Sequence, residues 1–116
     1  MLRKVLCFAT ILMVLPTLLS AQATRTIVDA DIPVGAQVTF HSDTTYVLSG
    51  LVFVDSLAVL TIEPGTVIKG EDGQDINASG LVVTRYGKIF AEGTADRPII
   101  FTSINDDLNG SLISTD

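Results

Sequence analysis

The sequence predicts an all-β chain wound as a solenoid of stacked coils, and three observations lead there. Past residue 24 no stretch carries a helical period; short runs rich in Val, Ile, Leu, Thr and Phe alternate with Gly, Pro, Asp and Asn. Two of these stretches repeat one another at one fixed offset. The junctions between runs also lack the two-residue Asn-Gly or Asp-Gly connections that would join neighbouring runs as hairpins.

The runs with strand length and composition are Gln37–Phe40, Tyr46–Leu48, Leu51–Val54, Val59–Ile62, Thr66–Lys69, Leu81–Thr84, Lys88–Ala91 and Ile99–Thr102. Between two of them, Glu63-Pro64-Gly65-Thr66 sets a fixed φ before a residue free to take a positive one, the requirement of a type II turn. Pro98 has no N–H and suits the entry to the Ile99 run, with Arg97 held extended before it.

The repeat decides the architecture. Val52, Val54, Ala58, Leu60 and Ile62 match Leu81, Val83, Gly87, Ile89 and Ala91, each pair 29 positions apart, and Glu63 matches Glu92 at the same offset. Looping out Pro64 also aligns Gly65-Thr66 with Gly93-Thr94. Spacing by two marks one face of a strand, so successive units present the same apolar face at the same places. The polar stretch Glu71–Ser79 reads as a loop inserted in the first unit; without it the unit is about 20 residues, the size of a β-solenoid coil. Asp72-Gly73 and Asn109-Gly110 join no pair of clear strands. A β-sandwich, which can also space its strands evenly, is the alternative.

The strings YVLSGLVFV (46–54), LTIEPGTVIKG (60–70), LVVTRYGKIFAEGT (81–94) and RPIIFTS (97–103) resemble a recurrent opening of secreted right-handed parallel β-helix proteins of the pectate-lyase-like superfamily. Those proteins are large, extracellular, common in Bacteroidetes-like bacteria and often end in a type IX secretion sorting domain. The resemblance spans roughly residues 44–103. It departs at Leu57-Ala58-Val59, where a Gly-Ala-Thr turn is usual, and at Tyr86, where a second glycine is usual. The resemblance implies a fold and an address. The superfamily's lyase site, an acidic calcium cluster with a basic residue several coils into the helix, matches no position here, and the same scaffold serves enzymes, adhesins and structural proteins.

The chain opens as an export signal: Arg3 and Lys4, an apolar run from Val5 to Leu19 interrupted only by Thr10, Pro16 and Thr17, then the small residues of Ser20-Ala21-Gln22-Ala23. Cleavage is expected after Ala23. The apolar run is short for a spanning helix, which needs about 20 apolar residues, and no basic stop-transfer cluster follows it. Cys7, the one cysteine, would leave with the signal, so the exported part would have no disulfide, thiol nucleophile or cysteine-bound metal. Removal of residues 1–23 takes two of the seven basic side chains and none of the thirteen acids. The resulting acidity argues against nucleic acid and anionic lipid as partners. Residues 24–45 are less regular and read as an N-terminal cap, residues 46–116 as coils. Ile104–Asp116 is polar and offers no C-terminal cap, so the sequence reads as a fragment whose partner would be further coils of its own full-length chain.

Candidate chemistry is sparse. Glu71, Asp72 and Asp75 around Gly73 are weak candidate calcium ligands: their spacing is not that of an EF-hand loop, and a solvated loop explains them better. Asp106 and Asp107, with Asn105 and Asn109, offer a second such cluster. His41, the single histidine, lies beside Ser42 and not far from Ser49, without the Gly-x-Ser-x-Gly elbow that a triad needs. Glu63 and Glu92 would stack about 4.8 Å apart on successive coils, where like charges face water or share a cation. An acid pair for glycoside chemistry would need a cleft between them. Asn77-Ala78-Ser79 and Asn109-Gly110-Ser111 match the glycosylation sequon, by chance in a bacterial product.

No catalytic or cofactor-binding residue is therefore assigned. The expected function is that of an exported or cell-surface β-helix scaffold for adhesion, structure or glycan binding, with an extracellular polysaccharide or cell-surface component as partner. The alternative is the opening of a polysaccharide lyase or hydrolase whose active residues lie beyond residue 116.

Overall fold

The computed structural model describes residues 22–109, so the export signal lies outside the described residues except for Gln22 and Ala23. The strands are β1 (Ala23–Ile27), β2 (Gln37–Phe40), β3 (Thr44–Leu48), β4 (Leu51–Val54), β5 (Val59–Ile62), β6 (Val67–Gly70), β7 (Gly80–Val83), β8 (Lys88–Ala91) and β9 (Ile100–Ser103). All eight runs expected from the sequence are strands, with ends shifted by at most two residues. The strand β1 was not expected.

The strands form three sheets, ordered β1-β3-β6-β9, β2-β5-β8 and β4-β7, and every pairing is parallel. Sequence neighbours never pair; each strand meets its equivalent one coil later. This is a parallel β-helix, and the sandwich alternative is excluded because it would require antiparallel partners. One coil is β2-β3-β4, the next β5-β6-β7, and β8-β9 begin a third. Parallel crossovers of this kind take the right-handed path.

The register places like on like. Val52 pairs with Leu81, Val54 with Val83, Leu60 with Ile89 and Ile62 with Ala91, as the repeat requires. One coil earlier, Val38 pairs with Leu60 and Phe40 with Ile62, and Tyr46 pairs with Ile68. These alternate positions point inward. Val52, Val54, Ala58, Leu60, Ile62 and Ile68 lose essentially all contact with solvent and, with Ile27, Phe40, Tyr46 and Leu48, make one core. Burying each large aliphatic side chain contributes about 1.5–3 kcal/mol. Among the described residues Thr66 is the buried polar one, and its hydroxyl donates to the Glu63 carbonyl at 2.7 Å.

Coil length explains the offset of 29. The first two coils are 22 residues apart, Val38 to Leu60, and the loop 71–79 between β6 and β7 lengthens the next step to 29. One part of the repeat is corrected. Gly93-Thr94 do not occupy the place of Gly65-Thr66, because residues 92–99 form a second loop and Val67 pairs with Ile100. Within that loop the Thr94 amide donates to the Arg97 carbonyl, and Arg97 packs its guanidinium over Gly65. Gly65 itself has φ +85°, and the Thr66 amide closes the turn on the Glu63 carbonyl at 3.3 Å, as the Pro-Gly pair requires.

The region 24–45 holds two strands that take part in the coil stack. Before the first coil, β1 extends one sheet beyond β3, and a short 3-10 turn, Asp29–Asp31, lies against β4. There the Asp29 carboxylate accepts the Phe53 amide at 2.8 Å, satisfying a donor on an edge with no preceding strand. Ile32, buried beside this turn, closes the core at that end. The other end is different: Leu81 and Ile89 are only partly buried, and Phe101, on the inward side beside Ile68, is half exposed.

This arrangement separates inward from outward positions on the same sheet. Leu60→Ala is expected to cost about 2–5 kcal/mol because its cavity lies between two coils that cannot collapse independently. Phe90→Ala, at a half-exposed outward position of β8, is expected to stay within about 0.5 kcal/mol of the parent. Urea unfolding of the two variants measures both.

Candidate functional site

The polar residues singled out in the sequence lie at the corners where one strand turns into the next. Glu63 leaves β5 and reaches back to the previous coil. One carboxylate oxygen accepts the Ser42 amide at 2.9 Å, and the other lies 3.4 Å from His41 Nδ1. The His41 amide in turn donates to the Tyr46 hydroxyl at 2.8 Å, and the Tyr46 ring stacks on Phe40 with centroids 4.0 Å apart. Glu63 thus ties the turn after β2 to the coil above it. The Ser42 N–H, reinforced by His41, holds its carboxyl below the ordinary glutamate value. Among the described residues no hydrogen bond joins His41 to the hydroxyl of Ser42 or Ser49, so no triad is assembled.

Glu92 does follow the strand paired with that of Glu63, and both border a shallow recess of about 270 Å³ with Thr61, Pro64 and Phe90. The two acids are not a matched pair, because the Glu63 carboxylate is taken up by the Ser42 amide and the His41 ring.

The acids of the inserted loop are also dispersed. Glu71 continues a sheet ladder through its amide, which donates to the Leu48 carbonyl. Asp72 accepts the Asn105 side-chain amide with both oxygens, at 3.0 and 3.1 Å. Asp75 begins the 3-10 turn Asp75–Asn77 at φ +54°. Among the described residues no three His, Cys, Asp or Glu side chains come together as metal ligands. The second cluster is organised around its own chain: Asp106 accepts the Thr102 hydroxyl at 2.7 Å and the Leu108 amide at 2.8 Å, while its carbonyl accepts Lys69 Nζ. The Thr102 hydroxyl, then the Leu108 N–H, lowers the Asp106 pKa. The sequon at Asn77 is within the described residues, whereas Gly110 and Ser111 of the other lie outside them.

Two acids escaped the sequence reading, Asp29 at the first 3-10 turn and Asp55. Asp55 accepts the Thr84 hydroxyl one coil later, and also the Ser56 amide at 2.7 Å. Thr84 and then Ser56 hold its carboxyl below the ordinary aspartate value. The offset of 29 between Asp55 and Thr84 is that of the repeat, so an extended comparison of coil corners would have paired them.

A recess of about 530 Å³ opens at the end of the coil stack and is lined by Leu48, Ile68, Leu81, Ile89, Phe101 and their neighbours. Its walls are the inward faces of the last strands, which makes it continuous with the core.

Three carboxyls, on Asp55, Glu63 and Asp106, therefore have folded-state pKa values below their ordinary ones. Such groups stabilise the fold above the unfolded-state pKa, and that contribution is lost as pH falls through the lower folded value. The urea midpoint is expected to be level between about pH 7 and pH 5 and to fall below that. Glu63→Gln, which keeps an acceptor for the Ser42 amide but cannot titrate, is expected to flatten the acid limb.

Comparison with known proteins agrees with this geometry. No curated protein and no solved structure matches the chain. The family model described as a pectate-lyase like beta helix domain matches residues 33–112, from the turn before β2 past the end of β9. With most of its length matched, and its strands stacked in parallel coils, the chain belongs to the pectate-lyase-like beta helix domain family.

Proposed function

We propose that this chain forms the first coils of an exported bacterial β-helix protein, serving as a non-catalytic scaffold at the cell surface for adhesion, structure or glycan binding. One observation carries the reading: four acids that could do chemistry, Asp55, Glu63, Asp72 and Asp106, are engaged in holding neighbouring segments together. Glu63 binds the Ser42 amide, Asp55 binds Thr84 and Ser56, Asp72 binds Asn105, and Asp106 binds Thr102 and Leu108. A general acid, base or calcium ligand needs lone pairs aimed into a cleft that a polymer can enter. These carboxylates accept from neighbouring backbone amides, hydroxyls and, at Asp72, the Asn105 side-chain amide. The signal-like residues 1–23 and the acidic remainder support export, and the resemblance to sorting-domain proteins supports a surface address.

The test is an assay of the purified protein on pectate, following unsaturated uronide release with calcium and with chelator. The expected result is no release above the protein-free rate in either case. Calcium-dependent turnover that disappears in Glu63→Gln or Asp72→Asn would overturn the scaffold reading.

A further inference from the structure

The bond at which the export signal is expected to be cut, between Ala23 and Thr24, lies inside β1. This strand runs parallel to β3 with Ala23 on Thr44, Thr24 on Thr45, Arg25 on Tyr46, Thr26 on Val47 and Ile27 on Leu48. At its far end the Ile27 carbonyl accepts the Ser49 amide at 2.9 Å. Along one strand of a parallel pair, bonding to the neighbour alternates with every residue. Ile27 is a bonded residue, so counting back by two makes Arg25 and Ala23 the others. The Ala23 carbonyl, which a peptidase must attack, is thereby an acceptor in the ladder to β3.

The strand is held lightly apart from that ladder. Ala23, Thr24, Arg25 and Thr26 are exposed, whereas Ile27 is 1% exposed and belongs to the core. One buried anchor therefore fixes the C-terminal end of β1, and backbone pairing alone fixes the rest. Opening it back to Ile27 disturbs one edge of one sheet and leaves the pairing of β3 with β6 intact. Elements of that kind open at a cost well below that of global unfolding.

A peptidase needs the opposite of a paired strand. Its cleft takes an extended segment on both sides of the bond and aims its own donors at the carbonyl oxygen. On the carboxyl side that segment is Thr24, Arg25 and Thr26, each in register with a residue of β3. Closing β1 onto β3 also brings together residues 21 positions apart, 44 minus 23. Non-local parallel pairing of this kind is slow to form, which leaves a period in which the segment is free.

We infer that β1 makes signal removal and closure of the first coil compete: the Ala23–Thr24 bond is cut while β1 is undocked, and pairing with β3 shields it afterwards. The inference rests on the export reading above. In the cut, water adds across the amide, leaving the Ala23 carboxylate on the signal and the Thr24 ammonium on the exported chain. The register of Thr24, Arg25, Thr26 and Ile27 survives that loss, so the shortened strand still docks on β3.

Order of addition tests this on the full chain, unfolded in urea and diluted into mild detergent with a bacterial type I signal peptidase. With peptidase present at dilution, rapid cleavage is expected, with Thr24 as the new N-terminus by sequencing. With peptidase added after refolding, at the same final urea, the rate is expected to fall about tenfold or more, because only the open fraction is cut. Arg25→Pro removes a ladder donor at an exposed position, and Ile27→Asn removes the anchor. Each should bring the late rate up to the early one, with far-ultraviolet circular dichroism confirming that the coils persist, whereas Arg25→Ala should stay protected. Equal rates in the two orders, protection that survives Arg25→Pro in a folded chain, or a cut after Ala21, outside β1, would overturn the inference. No cleavage in either order would instead bring down the export reading, and the inference with it.

Discussion

Parallel, in-register pairing of each strand with its equivalent one coil later is the constraint on which the rest of the structure depends. Because side chains alternate faces along a strand, that register aligns inward positions with inward positions on every coil. Val38, Leu60 and Ile89 thus lie in one column, and Val52 and Leu81 in another. A slip of one residue in any pair would turn a whole apolar set to solvent, so the core and the backbone ladders enforce each other.

Corners must then be built within that spacing, and here the polar residues act. A strand end that turns leaves backbone donors without ladder partners, and each needs an acceptor. Glu63 serves the amide of Ser42, Asp55 that of Ser56 and Asp106 that of Leu108, while Asp29 serves the edge-strand amide of Phe53. Close packing between corners adds a steric limit: a side chain at Gly87 would put its Cβ 1.9 Å from the Val54 carbonyl oxygen. The acidity of the chain is in good part the chemistry of its turns.

Much of this was legible in the sequence. The strands of the second and third coils, the inward columns and the loop 71–79 all follow from apolar alternation and one offset. What escaped reading has identifiable physical causes. In β1, Thr24, Arg25 and Thr26 carry no apolar alternation, because the strand covers the end of a sheet and buries only Ile27. The first coil repeats at 22 residues and not at 29, so the inserted loop concealed the match of Val38 and Phe40 with Leu60 and Ile62. Gly93-Thr94 imitate a corner motif but fall inside a loop. The carboxylate roles of Asp29 and Asp55 depend on contacts 24 and 29 residues away, which no local pattern announces.

The register itself is the most direct object of test. Thr39 and Thr61 are outward partners on β2 and β5, at a strand separation that suits a disulfide, whose Cα atoms lie about 4.4–6.8 Å apart. In a Cys7→Ser background, Thr39→Cys with Thr61→Cys should close an intramolecular disulfide under mild oxidation, detected as a loss of free thiol in the monomer. Thr39→Cys with Val59→Cys, two positions earlier on β5, should close far more slowly. Equal or preferential closure of the shifted pair would contradict the in-register parallel stack.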